Sequence, residues 1–144
     1  MLIQAILKSK ASDAVVTVKP DACVSDAAKL LSEKGIGTVV VSADGVAADG
    51  ILSERDIVRE LAKSGGGCLD KDVSNYMTSK LVTCTGQANI EDVLQQMTKG
   101  RFRHMPVVED GKLVGIVTLG DVVKAQLALV AMEKDALEGM IMGH

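Results

Sequence analysis

Gly50-Ile51-Leu52-Ser53-Glu54-Arg55-Asp56 and Gly115-Ile116-Val117-Thr118-Leu119-Gly120-Asp121 decide the reading of this chain. Each is a glycine, two apolar residues, a hydroxyl residue and, three positions later, an aspartate. Apolar β-formers running into Ser/Thr-x-x-Asp predict a strand that turns into a helix, with the hydroxyl at the N-cap and the acid at N3. The first turn of a helix has backbone N–H groups without intrahelical partners and a partial positive charge, so it attracts an anion. A hydroxyl there can donate to a phosphate oxygen. A carboxylate one turn on can accept from both hydroxyls of a ribose. The same residues also make an ordinary helix cap, and one copy alone does not choose between the two.

Working outward, the two stretches belong to an internal repeat. Thr17 matches Thr83, Val24 matches Ile90, Asp26 matches Asp92 and Asp44-Gly45 matches Asp110-Gly111, all 66 residues apart. One extra residue within Val46-Ala47-Ala48-Asp49 then shortens the spacing to 65 at the glycine stretches. Each copy opens on a β-prone segment, Val15 to Val18 or Leu81 to Thr83. A helix follows, with an apolar face at Val24, Ala27, Ala28 and Leu31, or at Ile90, Val93, Leu94 and Met97, at helical intervals. A Val-rich strand comes next, Thr38 to Val41 or His104 to Val108, then the Asp-Gly turn signal. The next strand is Ile51-Leu52 or Leu113 to Val117, and a helix opens at Ser53 or Thr118. The order is β-α-β-β-α, twice. A short helix, Val73 to Met77, is expected to introduce the second copy, as Ile3 to Leu7 introduces the first. The domain reading is repeat 1 over 8–63, a linker over 64–72, repeat 2 over 73–125, and a C-terminal helix and tail over 126–144. Gly65-Gly66-Gly67 argues against a stable helix in the linker, and it follows a helix rather than preceding one, so it is no phosphate loop. Leu127, Val130, Leu137 and Ile141 mark an apolar stripe in the tail, expected to pack on the module or on another subunit.

Composition narrows the function classes. Hydrophobic residues make up 47% and aromatics only 1%, so the core is aliphatic and little is left for stacking on nucleic-acid bases. The net charge of −3 comes with scattered basic residues, which argues against a nucleic-acid surface. The three cysteines, Cys23, Cys68 and Cys84, make no CxxC, so neither a disulfide framework nor a zinc site is expected, and reduced thiols in a cytoplasm are the simple reading. No secretory signal and no run long enough to span a membrane is found. Met132, Met140 and Met142 are expected to pack rather than to bind metal, and His144 is the terminus. No nucleophile with an orienting acid accompanies His104, so it is read as a cleft-lining donor and no enzyme is expected.

In this order these motifs resemble the CBS domain family, named from cystathionine β-synthase, whose domains pair into Bateman modules. The resemblance runs from about Ala11 to Ala125 and is strongest at Gly50 to Val58, at Arg103-His104-Met105-Pro106-Val107-Val108 and at Gly115 to Val123. It implies an α/β fold of two β-α-β-β-α repeats packed by pseudo-twofold symmetry, with two clefts that take AMP, ADP, ATP, S-adenosylmethionine or NAD. It also implies roles: Asp56 and Asp121 on ribose, Ser53 and Thr118 near phosphate, and Gly37-Thr38-Val39 and Arg103-His104-Met105-Pro106 framing adenine. Thr17 and Thr83 would border the clefts. Arg55 and Arg59 can serve a phosphate in the first copy, and Arg101, Arg103 and His104 in the second. The first copy lacks a proline matching Pro106 and carries Ala48-Asp49 before Gly50, so the second cleft is expected to be the better site. The reading is a non-catalytic regulatory module for an adenine nucleotide, forming a homodimer and signalling to an unknown effector protein. The alternative is a structural dimerisation or interaction module with unoccupied clefts.

Overall fold

The structure is a computed structural model that describes residues 1–10 and 15–141; Ala11, Met142 and His144 lie outside them. A short helix, α1 (Ile3–Ser9), precedes strand β1 (Thr17–Val18), helix α2 (Val24–Lys34), strands β2 (Thr38–Val41) and β3 (Gly50–Ser53), and helix α3 (Glu54–Ser64). Two 3-10 turns, Gly65–Asp70 and Val73–Asn75, lead to α4 (Ile90–Gly100), β4 (His104–Glu109), β5 (Lys112–Thr118) and the long α5 (Leu119–Ile141). The β-α-β-β-α order is complete in the first copy. In the second, the strand expected at Leu81 to Thr83 is replaced by a single parallel bridge from Cys84 to Val107. Val82 and Thr83 are exposed there, so no buried face holds a strand in place. The glycine linker forms no α-helix but winds into a 3-10 turn with Cys68 buried inside it.

Strand alternation divides the buried residues. β1 pairs parallel with β2, and β2 pairs antiparallel with β3, with Val39 opposite Leu52 and Thr38 opposite Ser53. Val39, Val41 and Leu52 join Val24, Ala27, Leu31, Ile57 and Val73 in one core. Met105, Val107 and Val117 join Ile3, Ile6, Ile90, Val93, Met97 and Val122 in a second. Successive side chains on a strand point to opposite faces. Thr38 and Ser53 therefore share the face away from the first core, and His104, Pro106, Ile116 and Thr118 the face away from the second. The β4–β5 turn has Asp110 at φ 51° and Gly111 at φ 76°, the two positive values that a two-residue hairpin of the tightest kind requires. The first copy's extra residue makes a wider loop instead. The Asp44 carboxylate accepts from the Val46 and Ala47 amides at 2.8 and 2.9 Å, and Asp49 accepts from the Ala43 amide at 2.8 Å.

The chain clusters into two compact units, and the leading segments are exchanged between the copies. One unit gathers α1, Thr83–Val107 and the chain from Gly115 on; the other gathers β1 through Val82 with Val108–Val114. The expectation that Ile3 to Leu7 belongs with the first copy is thus corrected. The Ile3 and Gln4 amides donate to the Ala88 and Gly86 carbonyls, both at 2.9 Å, and the Ile90 amide donates to Met1 at 3.1 Å. Val73 repeats the arrangement on the first copy. Its amide donates to Ala22 at 2.8 Å, the Ser74 amide to Pro20 at 3.2 Å, and the Val24 amide to Lys71 at 2.9 Å. The exchange also satisfies N-terminal amides of α1 that no intrahelical carbonyl reaches.

α5 starts against the core of its unit and is exposed further along. Val122 is buried, and Ala125 and Leu129 pack against the core. Beyond them Val130, Met132, Leu137, Met140 and Ile141 are exposed, so the tail stripe does not pack on the described residues of its own chain.

Ile3 is completely buried in a core whose other buried members, Ile6 apart, lie at least 87 positions away in sequence. Ile3→Ala is expected to cost about 2–5 kcal/mol of unfolding free energy, as for a core truncation. Urea denaturation monitored by circular dichroism checks this. A cost below about 1 kcal/mol would mean that α1 is a frayed appendage.

Candidate functional site

At both glycine stretches the strand turns into a helix through a reciprocal pair of hydrogen bonds. The Ser53 amide donates to Asp56 Oδ2 at 2.9 Å, and the Asp56 amide donates to Ser53 Oγ at 3.2 Å. The Thr118 amide donates to Asp121 Oδ2 at 3.0 Å, and the Asp121 amide donates to Thr118 Oγ1 at 3.0 Å. Both are complete capping boxes. Each hydroxyl accepts one bond here and still has its own proton to donate. Behind the box the next amide closes the junction: Glu54 donates to the Gly37 carbonyl at 2.9 Å and Leu119 to the Arg103 carbonyl at 2.8 Å. Gly37 and Arg103 are therefore held beside the helix starts, as the matching motifs require.

In the unit containing β1–β3, Gly37, Thr38, Ser53 and Asp56 meet at the start of α3, while Thr17 pairs with Val40 on the far side of β2 from β3. Thr38 is only 7% exposed, and its hydroxyl has no hydrogen-bond partner among the described residues. An unpaired buried hydroxyl costs roughly 1–3 kcal/mol, so this one is suited to a ligand or solvent partner. Val39 is buried in the core face, so its side chain does not line the site. Arg55 is exposed on the first turn of α3. Arg59 bonds Asp56 Oδ1 at 3.1 Å from one turn along the same helix.

In the other unit, half-buried His104 and buried Pro106 lie on the same strand face as Thr118, with Asp121 at the start of α5. Met105 is completely buried in the core, so it frames no ligand with its side chain; strand alternation separates it from His104 and Pro106. Arg103 is exposed. Arg101 closes α4 at φ 57°, where α2 uses Gly35 at φ 63°, and its side chain is exposed. Thr83 is exposed and outside any strand.

The sequence motifs missed Lys10. Its ammonium lies 2.9 Å from Asp121 Oδ2 and 3.0 Å from the Ile116 carbonyl. Nothing in the local pattern pairs residues 111 positions apart. Burial pushes the Asp121 carboxyl up, but the Lys10 bond and charge and the Thr118 amide and hydroxyl outweigh it, and the group sits below its ordinary 3.8. Among the described residues no His, Cys, Asp or Glu cluster could hold a metal, and no helix is long and apolar enough to cross a membrane.

The family profile for the CBS domain matches residues 7–63 and again 72–128. A CBS domain-containing protein of Arabidopsis thaliana, CBSX3, mitochondrial, is 33% identical over 98% of this chain and 72% of its own length. The crystal structure of the CBS-domain containing protein ATU1752 from Agrobacterium tumefaciens superposes with a TM-score of 0.83 at 42% identity, covering 88% of this chain and 99% of that one. The CBS domain pair of protein MJ0100, solved in complex with 5′-methylthioadenosine and S-adenosyl-L-methionine, superposes with a TM-score of 0.76 at 26% identity, covering 87% and 98%.

The depressed Asp121 carboxyl has a consequence for stability. A carboxyl lowered in the folded state stabilises the fold above its unfolded value, and that contribution is lost as pH falls through the folded value. Stability is expected to drop as pH is lowered below about 4. Asp121→Asn should be less stable at pH 7 and show a shallower acid slope. Urea midpoints measured from pH 7 to pH 2.5 check this. Parallel slopes would mean that the Lys10–Asp121 pair contributes nothing.

Proposed function

The chain belongs to the CBS domain family, as a tandem pair of repeats, and from that premise we propose that it is a regulatory module that binds an adenine nucleotide and catalyses no reaction. The observation that carries this is the doubled cluster of hydroxyl, helix-start amides and carboxylate at Ser53–Asp56 and Thr118–Asp121. Such a cluster suits a nucleoside phosphate, with ribose hydroxyls on the aspartate and phosphate near the hydroxyl and amides. The adenosine ligands of the MJ0100 domain pair support the same class. AMP, ADP, ATP and NAD all carry the required group. The ligand would act by favouring one conformation that an effector protein reads, coupling cellular energy or redox state to that partner.

The site at Asp121 is the stronger candidate. Thr118 and the amides after it would meet the phosphate, Arg103 and His104 would add donors, and Pro106 would give the purine an apolar neighbour. Asp56, with Ser53, Thr38 and Thr17, would form the second site. A structural reading stands beside this one, because both capping boxes are complete without a ligand and the aspartates already have work to do.

Titration calorimetry with AMP separates the two readings. Asp121→Asn is expected to weaken binding about tenfold or more, through loss of a charged acceptor. Asp56→Asn should affect only the weaker site. If AMP, ADP and NAD all fail to bind the native protein at millimolar concentration, the nucleotide reading is wrong and the structural one stands.

The protein is also proposed to be a homodimer. The exposed stripe of Leu127, Val130, Leu137 and Ile141 leaves an apolar face that a 15.1 kDa monomer does not cover. Light scattering should give about twice the chain mass at micromolar concentration. Truncation after Gln126 should weaken the association. A monomer in the full-length protein would remove the proposal.

A further inference from the structure

The ammonium of Lys10 belongs to the same corner as Thr118 and Asp121, and its placement is built rather than incidental. Ile3 and Ile6 fix α1 in the core, and Leu7 lies against β5 where Gly115 leaves room for it. A Cβ on Gly115 would come within 2.7 Å of Leu7 Cδ2. Lys10 follows directly after α1, with its side chain 28% exposed. Its two bonds, to Asp121 Oδ2 and to the Ile116 carbonyl, use two of the three N–H groups of an ammonium and leave one. The counter-ion of Asp56 is of another kind. Arg59 comes from the same helix, and its side chain is 59% exposed, where solvent screens its charge.

We propose that Lys10 is a ligand-binding residue of the Asp121 site and sets its charge preference, selecting phosphate-bearing adenosine ligands over neutral or sulfonium-bearing ones. This rests on the nucleotide reading above and names its ligand class. Lys10 stays on Asp121 Oδ2 and gives its third N–H to a phosphate oxygen, while Asp121 Oδ1 accepts from the ribose. Charge-assisted bonds to phosphate are among the stronger ones available in a partly buried site. A cationic sulfonium in the same place would meet the ammonium and be repelled. The Asp56 site, with a screened arginine in place of a held lysine, discriminates less.

The test is calorimetric titration of the full chain, in an Asp56→Asn background so that the Asp121 site dominates the signal. AMP, 5′-methylthioadenosine and S-adenosylmethionine serve as probes for anionic, neutral and cationic ligands. AMP is expected to bind about tenfold or more tighter than methylthioadenosine, with S-adenosylmethionine weakest. Lys10→Met keeps the stem; it should cost AMP about tenfold, change methylthioadenosine by less than about threefold and improve S-adenosylmethionine. Lys10→Arg should restore most of the preference for AMP. Equal losses for AMP and methylthioadenosine in Lys10→Met would overturn the proposal, because Lys10 would then only hold Asp121 in place. The order of the three ligands without Lys10→Met tests it independently of that variant's folding, and a charge-blind order overturns it while leaving the nucleotide reading intact. Binding of none of the three, with or without the Asp56→Asn background, removes both.

Discussion

The amide of Asp121 donates to the Thr118 hydroxyl while the amide of Thr118 donates to the Asp121 carboxylate, and the same exchange joins Asp56 to Ser53. This exchange fixes where each strand ends and where each helix begins. It turns the side chain of residue N3 back over the helix start and leaves the hydroxyl its own proton to donate. The Gly37 and Arg103 carbonyls are tied to the next amide, so the start of the neighbouring strand is held to the same corner. A helix cap and an anion site are usually rival readings of such a motif. Here one geometry leaves room for both, because the cap consumes one carboxylate oxygen and one hydroxyl lone pair and leaves the rest.

The corner needs rigid strands behind it, and alternation supplies them. Val39, Val41 and Leu52 in one unit, and Met105, Val107 and Val117 in the other, bury one strand face in an aliphatic core. The opposite face carries Thr38 and Ser53, or His104, Pro106 and Thr118. With two aromatic residues in the chain, these cores rely on branched aliphatics and methionine, whose packing tolerates few gaps. The exchange of leading segments completes the packing. Ile3 and Ile6 fill the core beside α4, and Val73 fills the core beside α2, each bringing its amides to carbonyls of the segment it docks on.

That exchange makes the two corners unequal. α1 carries Lys10 to Asp121, while the segment after the glycine linker brings no such cation to Asp56, whose partner is an arginine of its own helix. Two copies of one motif thereby acquire different electrostatics from chain that lies outside the motif. The orphaned hydroxyl of Thr38 is a second asymmetry, since the matching position in the other copy is His104.

Much of this was legible in the residues. The 66-residue repeat, the Ser/Thr-x-x-Asp junctions, β2 at Thr38 to Val41, the apolar faces of α2 and α4 and the Asp110-Gly111 turn all follow from local patterns. Periodicity and capping act over a few residues, so sequence carries them directly. The side chains of Val39 and Met105 turn into the cores because strand neighbours in sequence point to opposite faces, and a motif read as a string does not separate them. The missing strand at Leu81 to Thr83 depended on burial that its composition does not reveal. Which core α1 joins, and therefore that Lys10 meets Asp121, was decided only in three dimensions. Ile3 and Ile6 would suit either aliphatic core, and the choice rests on the carbonyls of Gly86 and Ala88 and the space at Gly115, more than 80 residues away.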